Sequence, residues 1–267
     1  MRTYIAGTKE YCTVQKHVNA PILKTVFDCG NSTNGKIEIS VVGLYRLFLN
    51  GTELTKGLLS PYLFNPDDVV YYDEYEVSHL LKPSKNVLSV MLGNGFSNAM
   101  DHDIWQFEHA RFRDRPKMCL SLTAGGREVV NTAEGFLACD SPITFDDLRC
   151  GERYDANLED DSLHSDVFSK KFYPCYPARA PLGEYKKCGG APVKVFGSVA
   201  PQKIIRSKHG YLYDFGEVNA GFCRLNIHAR AGQVIDMTFA EMAAHGEPDL
   251  SNMIFDGGEK RRGVCPA

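Results

Sequence analysis

The side chains of this sequence that could do chemistry are carboxylates that stand close together along the chain. Glu152 and Asp155 are three positions apart, so they share a face if their segment is helical or forms a turn. Asp101 and Asp103 form a second close pair, a few residues after Asn94. Paired carboxylates serve acid–base chemistry, and oxygen ligands from a loop suit calcium. We therefore predict a calcium site formed by Asn94, Asp101 and Asp103.

The segment 97–109 carries the only tryptophan of the chain, Trp105, and has no clean periodicity. It reads as a long loop, and long loops on a rigid scaffold are where binding residues concentrate. An indole stacks well on the apolar face of a sugar ring, whereas the neighbouring Ile104 and Phe107 fit a core position for the same side chain. The candidate carbohydrate-binding residues are Asn94, Asp101, Trp105, Glu152 and Asp155.

Each of these polar residues also has a structural interpretation. Glu152 would shape a turn between Gly151 and Tyr154, and Asp214 and Glu217 would shape a loop at a sheet edge. Acids that are close in sequence usually form a solvated face. His102, His109, His209 and His228 lack a His-x-His or triad context. We therefore assign no catalytic residue in this chain.

The elements that must position these residues are strands. Apolar residues alternate with polar ones over 37–50 and again over 69–77, which is the period of a half-buried strand. Asn50-Gly51 predicts a tight hairpin turn, because both residue types tolerate positive φ. The run 87–92 is apolar on both faces except at Ser89, as in a strand buried between two layers. Further strands are expected over 22–27 and 234–241, and a hairpin around Gly125-Gly126. The pattern indicates a sandwich.

Three ordered stretches resemble the N-terminal region of bacterial α-L-rhamnosidases, glycoside hydrolase family 78. The first stretch carries Gly43, Tyr45, Leu49-Asn50-Gly51, Ser60-Pro61, Tyr72, Tyr75-Glu76-Val77, Leu80-Leu81, Asn86-Val87-Leu88 and Leu92-Gly93-Asn94-Gly95-Phe96. The second carries Pro142-Ile143 and then Gly151-Glu152-Arg153-Tyr154-Asp155-Ala156. The third carries Asp214-Phe215-Gly216, Ala220-Gly221 and a strand that ends at Ala240-Glu241.

This resemblance implies an all-β fold of two antiparallel, jelly-roll-like β-sandwich domains with few short helices. We place the first domain at 1–175 and the second, incomplete one at 176–267, because 162–190 is rich in Lys, Pro, Gly and Tyr. In the family, inverting hydrolysis takes place in an (α/α)6 barrel that follows the sandwiches. The pattern fades after Asn252, so we expect this chain to lack that barrel and to be inactive alone.

Charge and composition limit the classes of partner that this chain would bind. The formal charge is −3 without long runs of one sign, which favours neither nucleic acid nor an anionic membrane as a partner. No apolar run reaches membrane-spanning length, and nine scattered cysteines without a CxxC pair indicate reduced thiols in a cytoplasm. The expected partners are rhamnose-containing glycans or glycosides and the catalytic barrel.

Three functions remain open at this point. The chain supports a rhamnosidase barrel, or it is a carbohydrate-binding or docking module without a hydrolytic role, or it is a structural remnant. We also expect an apolar patch around Asp214-Phe215-Gly216 and 237–241, and self-association through it.

Overall fold

The computed structural model describes residues 2–13, 16–32, 34–99, 106–166, 168 and 171–251, and the backbone of 263–266. The strands are β1 (Tyr4–Ala6), β2 (Pro21–Asp28), β3 (Gly35–Val42), β4 (Leu44–Leu49), β5 (Thr52–Glu53), β6 (Val69–Glu76), β7 (Lys85–Gly93), β8 (Lys117–Ala124), β9 (Arg127–Asn131), β10 (Leu137–Asp140), β11 (Ile143–Asp147), β12 (Gly151–Tyr154), β13 (Tyr173–Pro174), β14 (Tyr176–Ala178), β15 (Glu184–Lys187), β16 (Lys203–Arg206), β17 (Tyr211–Asp214), β18 (Val234–Met237), β19 (Met242–Ala244), β20 (Glu247–Asp249) and β21 (Gly263–Pro266). Single 3-10 turns of helix cover Ser78–Leu80, Gly95–Asn98, Phe107–His109, Ala156–Leu158 and Asp161–Leu163. The predicted all-β class with few short helices is confirmed.

Two sheets form the first sandwich. One has the strand order β14-β1-β8-β3-β6-β15, with β9 added to β8, and the other has the order β13-β10-β2-β7-β4-β5. Their neighbours are antiparallel except for β15, which runs parallel to β6. Apolar side chains of both sheets join in one buried cluster, among them Ile37, Ile39 and Leu122 from one sheet and Leu47, Leu88 and Leu92 from the other. This cluster is the core of the molecule.

The local sequence signals in this sandwich produce the expected elements. Asn50 and Gly51 both have positive φ, 51° and 83°, and they connect β4 to β5 as predicted. The Asn50 side chain also donates to the Leu80 carbonyl oxygen at 2.8 Å, so the turn is bonded to the 3-10 helix Ser78–Leu80. Strand β7 lies between β2 and β4, and its centre is buried on both faces, as its apolar run predicts. The Gly125-Gly126 hairpin between β8 and β9 is confirmed as well.

The remaining strands form smaller sheets. One has the order β11-β12-β21-β18, and the pairs β16–β17 and β19–β20 each stand as a two-stranded sheet. The strand predicted over 234–241 is shorter in the structure, where Val234–Met237 pairs with β21. Strands β14 and β15 lie on the edges of the first sheet, next to β1 and β6. The division of the chain at residue 175 stays a prediction.

Burial separates two parts of the chain sharply. Within 191–251, all of which the structure describes, no residue is buried. The exposed side chains there include large apolar ones, such as Phe196, Ile204 and Phe222. Among the described residues, no helix is both long enough and apolar enough to cross a bilayer.

Candidate functional site

The Gly93-Asn94-Gly95 turn meets the strand that opens the second sequence motif. The backbone N–H of Asn94 donates to Oδ2 of Asp146 at 2.7 Å, and Nδ2 of Asn94 donates to Oδ1 of Asp146 at 3.0 Å. The close approach leaves little room for a side chain at Gly93, because an added Cβ atom would lie 3.2 Å from the Asp146 carboxylate. Two stretches that carry the resemblance therefore contact each other through Asp146.

Asn94 is occupied within this contact. Its Oδ1 atom accepts a hydrogen bond from Nδ2 of Asn98 at 2.6 Å, and its carbonyl oxygen accepts one from the hydroxyl of Ser97 at 3.1 Å. Both polar atoms of the Asn94 side chain thus hold protein groups, and the side chain is buried. This geometry makes Asn94 a residue that fixes the end of β7 against β11.

The electrostatics of this contact centre on Asp146. Burial raises the pKa of the Asp146 carboxyl to about 7, and the nearby Glu152 and Asp147 act in the same direction. The Asn94 N–H opposes the shift because it favours the ionised form. Asp146 and Glu152 are directly paired positions of the β11–β12 hairpin, and burial also raises the pKa of Glu152. Two carboxyl groups with raised pKa values therefore stand side by side.

Asp155 has a different surrounding from Glu152. Its Oδ1 atom accepts hydrogen bonds from the backbone N–H of Asn157 at 3.0 Å and from Nδ2 of Asn157 at 2.8 Å. It thereby caps the short 3-10 helix Ala156–Leu158. Asp214 acts similarly in the third motif, where its Oδ1 accepts from the backbone N–H of Gly216 at 2.8 Å. The loop-shaping role predicted for Asp214 is confirmed.

Three predicted site residues, Asp101, Asp103 and Trp105, lie outside the described residues. The calcium hypothesis depends on the first two, so it stays a prediction, as does the sugar-stacking role of Trp105. Among the described residues, no group of three or more His, Cys, Asp or Glu side chains is arranged to hold a metal ion.

Sequence reasoning missed a basic cleft of ≈ 490 Å³ beside strand β8. Four of its cationic side chains come from one segment, at Arg111, Arg113, Arg115 and Lys117, and a fifth comes from Arg179. A signal was present in the sequence, because Arg111, Arg113, Arg115 and Lys117 stand at every second position.

Sequence reasoning also missed an apolar patch that joins two distant loops. Leu58 pairs with Val193, and its N–H donates to the Val193 carbonyl oxygen at 3.0 Å. Around this bridge the exposed apolar side chains are Leu59, Tyr62, Leu63, Val195 and Phe196, and Phe196 is 99% exposed. We call the residues 58–63 and 193–196 the apolar patch. The patch predicted around 214–216 and 237–241 is a different surface, where Phe239 is exposed, and self-association through it stays a prediction.

A comparison with protein families identifies the fold of the first sandwich. Residues 31–196, more than half of the chain, match the family described as the α-L-rhamnosidase N-terminal domain. The chain belongs to this family. The matched range includes the Asn94–Asp146 contact, the apolar patch and every residue of the basic cleft except Tyr11. The resemblance drawn from the three sequence motifs is thereby confirmed.

Longer proteins contain related segments. An α-L-rhamnosidase of Formosa agariphila is 26% identical over 218 residues, which are 78% of this chain and 23% of that protein. The crystal structure of an α-L-rhamnosidase from Aspergillus terreus superimposes with a TM-score of 0.87 at 19% identity, over 99% of this chain and 31% of that one. The crystal structure of a Streptomyces avermitilis α-L-rhamnosidase in complex with L-rhamnose superimposes with a TM-score of 0.82 at 21% identity. The match covers 94% of this chain and 25% of that one. The chain spans about a quarter of the length of the curated relative.

Proposed function

We propose that the chain is a non-catalytic β-sandwich part of an α-L-rhamnosidase-like glycoside hydrolase. In full length such an enzyme would remove terminal L-rhamnose from glycans or glycosides with inversion. Family membership supports this proposal, and so does the structural use of the acidic motif residues. Asp146 and Asp155 both accept hydrogen bonds from neighbouring protein groups, so these carboxylates stabilise turns and strand ends.

The apolar patch is the observation that carries the proposal. Isolated exposed apolar residues are common, but several of them on two joined loops suit a surface that another protein covers. Here Leu58 and Val193 are physically linked, and Gly190 lies so close to the Tyr62 ring that an added Cβ would be 2.6 Å from it. We assign the catalytic part of the rhamnosidase as the occupant of this patch, because the curated relative is about four times as long as the segment that it shares.

Two measurements on the purified chain test this function. An aryl α-L-rhamnoside assay should give no turnover with the chain alone. Sedimentation velocity should detect concentration-dependent self-association through the uncovered patch, and Phe196→Ser or Leu59→Ser should weaken it on the order of tenfold, because each removes an apolar contact. Leu148→Ser, at an exposed leucine of the β11–β12 turn, is the matched control and should leave association unchanged.

Two results would contradict the proposal. Steady turnover that disappears in Glu152→Ala would make the chain catalytic. A chain that stays monomeric at all concentrations would count against the apolar patch as a docking surface.

The second candidate function is a carbohydrate-binding module. The solved relative in complex with L-rhamnose and the aromatic side chains beside the basic cleft support it. Saturable binding of L-rhamnose to the chain in a calorimetric titration would support this function. We also propose a cytoplasmic location, which the eight described cysteines support because all are free thiols.

A further inference from the structure

The basic cleft differs in charge from the rest of the molecule. It is lined by five cationic side chains and two acidic ones, Asp67 and Asp114, whereas the whole chain has a formal charge of −3. The segment that leads into β8 supplies most of the cations, and Arg179 follows β14 on the neighbouring edge of the same sheet. A cleft with low-dielectric walls and one dominant sign of charge attracts ions of the opposite sign.

Part of this positive charge is neutralised within the protein. Nζ of Lys117 lies 2.6 Å from Oδ2 of Asp114 and donates to the Arg179 carbonyl oxygen at 2.8 Å. The Lys117 side chain is only 6% exposed, so this pair is a buried structural ion pair. Arg111, on the exposed rim, lies 3.7 Å from the carboxylate of Asp67. Both acidic side chains of the cleft are therefore already engaged with a cation.

Besides the exposed Arg179, the uncompensated charge of the cleft lies on Arg113 and Arg115. Neither guanidinium forms an ion pair with a carboxylate of the described residues, and Arg113 makes only a 3.5 Å contact with the Glu108 carbonyl oxygen. Within the described part of the chain, Nε and Nη2 of Arg113 and Nε of Arg115 have no hydrogen-bond acceptor although they are shielded from solvent. Shielded donors without acceptors are rare in proteins, so the protein itself leaves hydrogen-bonding capacity of these two side chains unused.

An aromatic ring lies beside the two guanidinium groups. The Arg113 and Arg115 Cζ atoms lie 5.4 and 6.0 Å from the centre of the Tyr11 ring. The Tyr11 hydroxyl in turn donates to Oδ1 of Asp114 at 3.3 Å. Phe112 lines the same cleft and adds an apolar surface. Planar donors beside an aromatic ring suit a ligand with both an oxyanion and an apolar face.

We propose that this cleft binds an acidic saccharide through its carboxylate or sulfate group. Arg113 and Arg115 donate to the oxyanion, and Tyr11 or Phe112 contacts the sugar ring. The oxyanion part stands on the cleft alone, whereas the saccharide part rests on the proposed function in a glycoside hydrolase. A uronic acid and a sulfated sugar present the same oxyanion chemistry, and the experiment separates them.

Calorimetric titration of the whole chain at low ionic strength tests the proposal with four probes: D-glucuronate, D-glucose 6-sulfate, inorganic sulfate and L-rhamnose. At least one acidic sugar should bind saturably, and about tenfold more tightly than inorganic sulfate. Arg113→Gln and Arg115→Gln should each weaken that binding about tenfold, because each removes charge-assisted hydrogen bonds. Added salt should weaken it further.

Matched variants separate recognition from folding. Arg127→Gln, at an exposed arginine of β9 outside the cleft, should change affinity less than about twofold. Arg113→Lys keeps the charge but loses the planar pair of donors, so it should bind more weakly than the unmodified chain. If the variants at 113 and 115 fail to fold, Arg179→Gln replaces them, since this side chain is exposed and should still reduce affinity about threefold.

Three outcomes would overturn the proposal in distinct ways. If neither acidic sugar nor sulfate binds, the oxyanion site does not exist. If inorganic sulfate binds as tightly as the acidic sugars, the saccharide part fails while the oxyanion site stands. If L-rhamnose binding falls with Arg113→Gln as much as glucuronate binding does, the cleft does not recognise charge. The docking function is tested on the apolar patch, which shares no residue with this cleft, so the two failures are distinguishable.

Discussion

The first sandwich and the segment 191–251 are both built from short strands, yet only the sandwich encloses a core. In the sandwich, apolar residues of facing sheets are removed from water almost completely, as Leu47 and Ile39 illustrate. In the segment 191–251, strands β16 and β17 pair with each other, but their apolar side chains, such as Ile204 and Tyr213, remain exposed. Paired strands supply backbone hydrogen bonds in both regions, but apolar side chains are removed from water only in the first sandwich.

This difference shows what a strand pattern does and does not establish. Alternation of apolar and polar residues predicts that one face of a strand is covered, but it does not say which molecule covers it. In the first sandwich the second sheet of the same domain is the cover. In the segment 191–251 no residue has such a cover, and the docking function proposed for the apolar patch would supply one at Phe196.

The largest expected effect contrasts one leucine in each region. Leu47→Ala removes a side chain that is 0% exposed in β4, and it should reduce the free energy of unfolding by about 3 kcal/mol because it leaves a cavity. Leu225→Ala, at a side chain that is 40% exposed, should cost less than about 0.5 kcal/mol. Urea unfolding followed by circular dichroism measures both. Comparable losses would remove the distinction between the two regions.

The next effect concerns Asp146, which connects the first sandwich to the sheet that contains β18. Its pKa is raised on folding to about 7, so the folded chain holds a proton that the unfolded chain has lost. The contribution of Asp146 to stability is therefore greatest at low pH and falls as the pH rises from about 4 to 7. Asp146→Asn should abolish this dependence, so the stability of the unmodified chain relative to the variant should fall by more than about 1 kcal/mol over that range.

The control for this titration is Glu152→Gln. Burial raises the pKa of Glu152 too, and Glu152 itself contributes to the raised pKa of Asp146, so Glu152→Gln should reduce the pH dependence without abolishing it. Urea unfolding at several pH values between 4.5 and 7.5 provides the measurement. If the free energy of unfolding of Asp146→Asn depends on pH as that of the unmodified chain does, Asp146 does not take up a proton on folding.

The fold was predictable where a local signal decided it. Asn50-Gly51 could be recognised because few residue types accept positive φ at both turn positions, and β7 because a strand covered on both faces has no polar side. The edge strands β14 and β15 could not be predicted. They are short, Pro-flanked or charged, and their place next to β1 and β6 is fixed by pairing with residues more than a hundred positions away.

The candidate site was predictable only in part for the same reason. Asn94 and Glu152 were singled out from their motifs, but Asp146, which contacts one and faces the other, carries no signal of its own. Their approach depends on where β7 ends relative to β11, and this is a property of the assembled sheets. The arginine series 111–115 did carry a signal, an alternation of charge, although only the structure places Tyr11 and Arg179 beside it.

The smallest expected effect compares the same local interaction outside and inside the segment 191–251. Asp155 and Asp214 each accept a backbone N–H from the residue two positions further along. The backbone N–H of Asp155 also donates to the Pro142 carbonyl oxygen at 2.9 Å, so its turn is bonded to the residue that precedes β11. Asp214, in contrast, ends a strand of the two-stranded sheet β16–β17. Asp155→Ala should therefore cost about 1 kcal/mol of unfolding free energy, the usual loss for a cap. Asp214→Ala should cost less than about 0.3 kcal/mol, since its turn unfolds locally at little expense to the rest of the chain. Equal losses in urea unfolding would mean that 191–251 unfolds as one cooperative unit with the first sandwich, despite having no buried residue of its own.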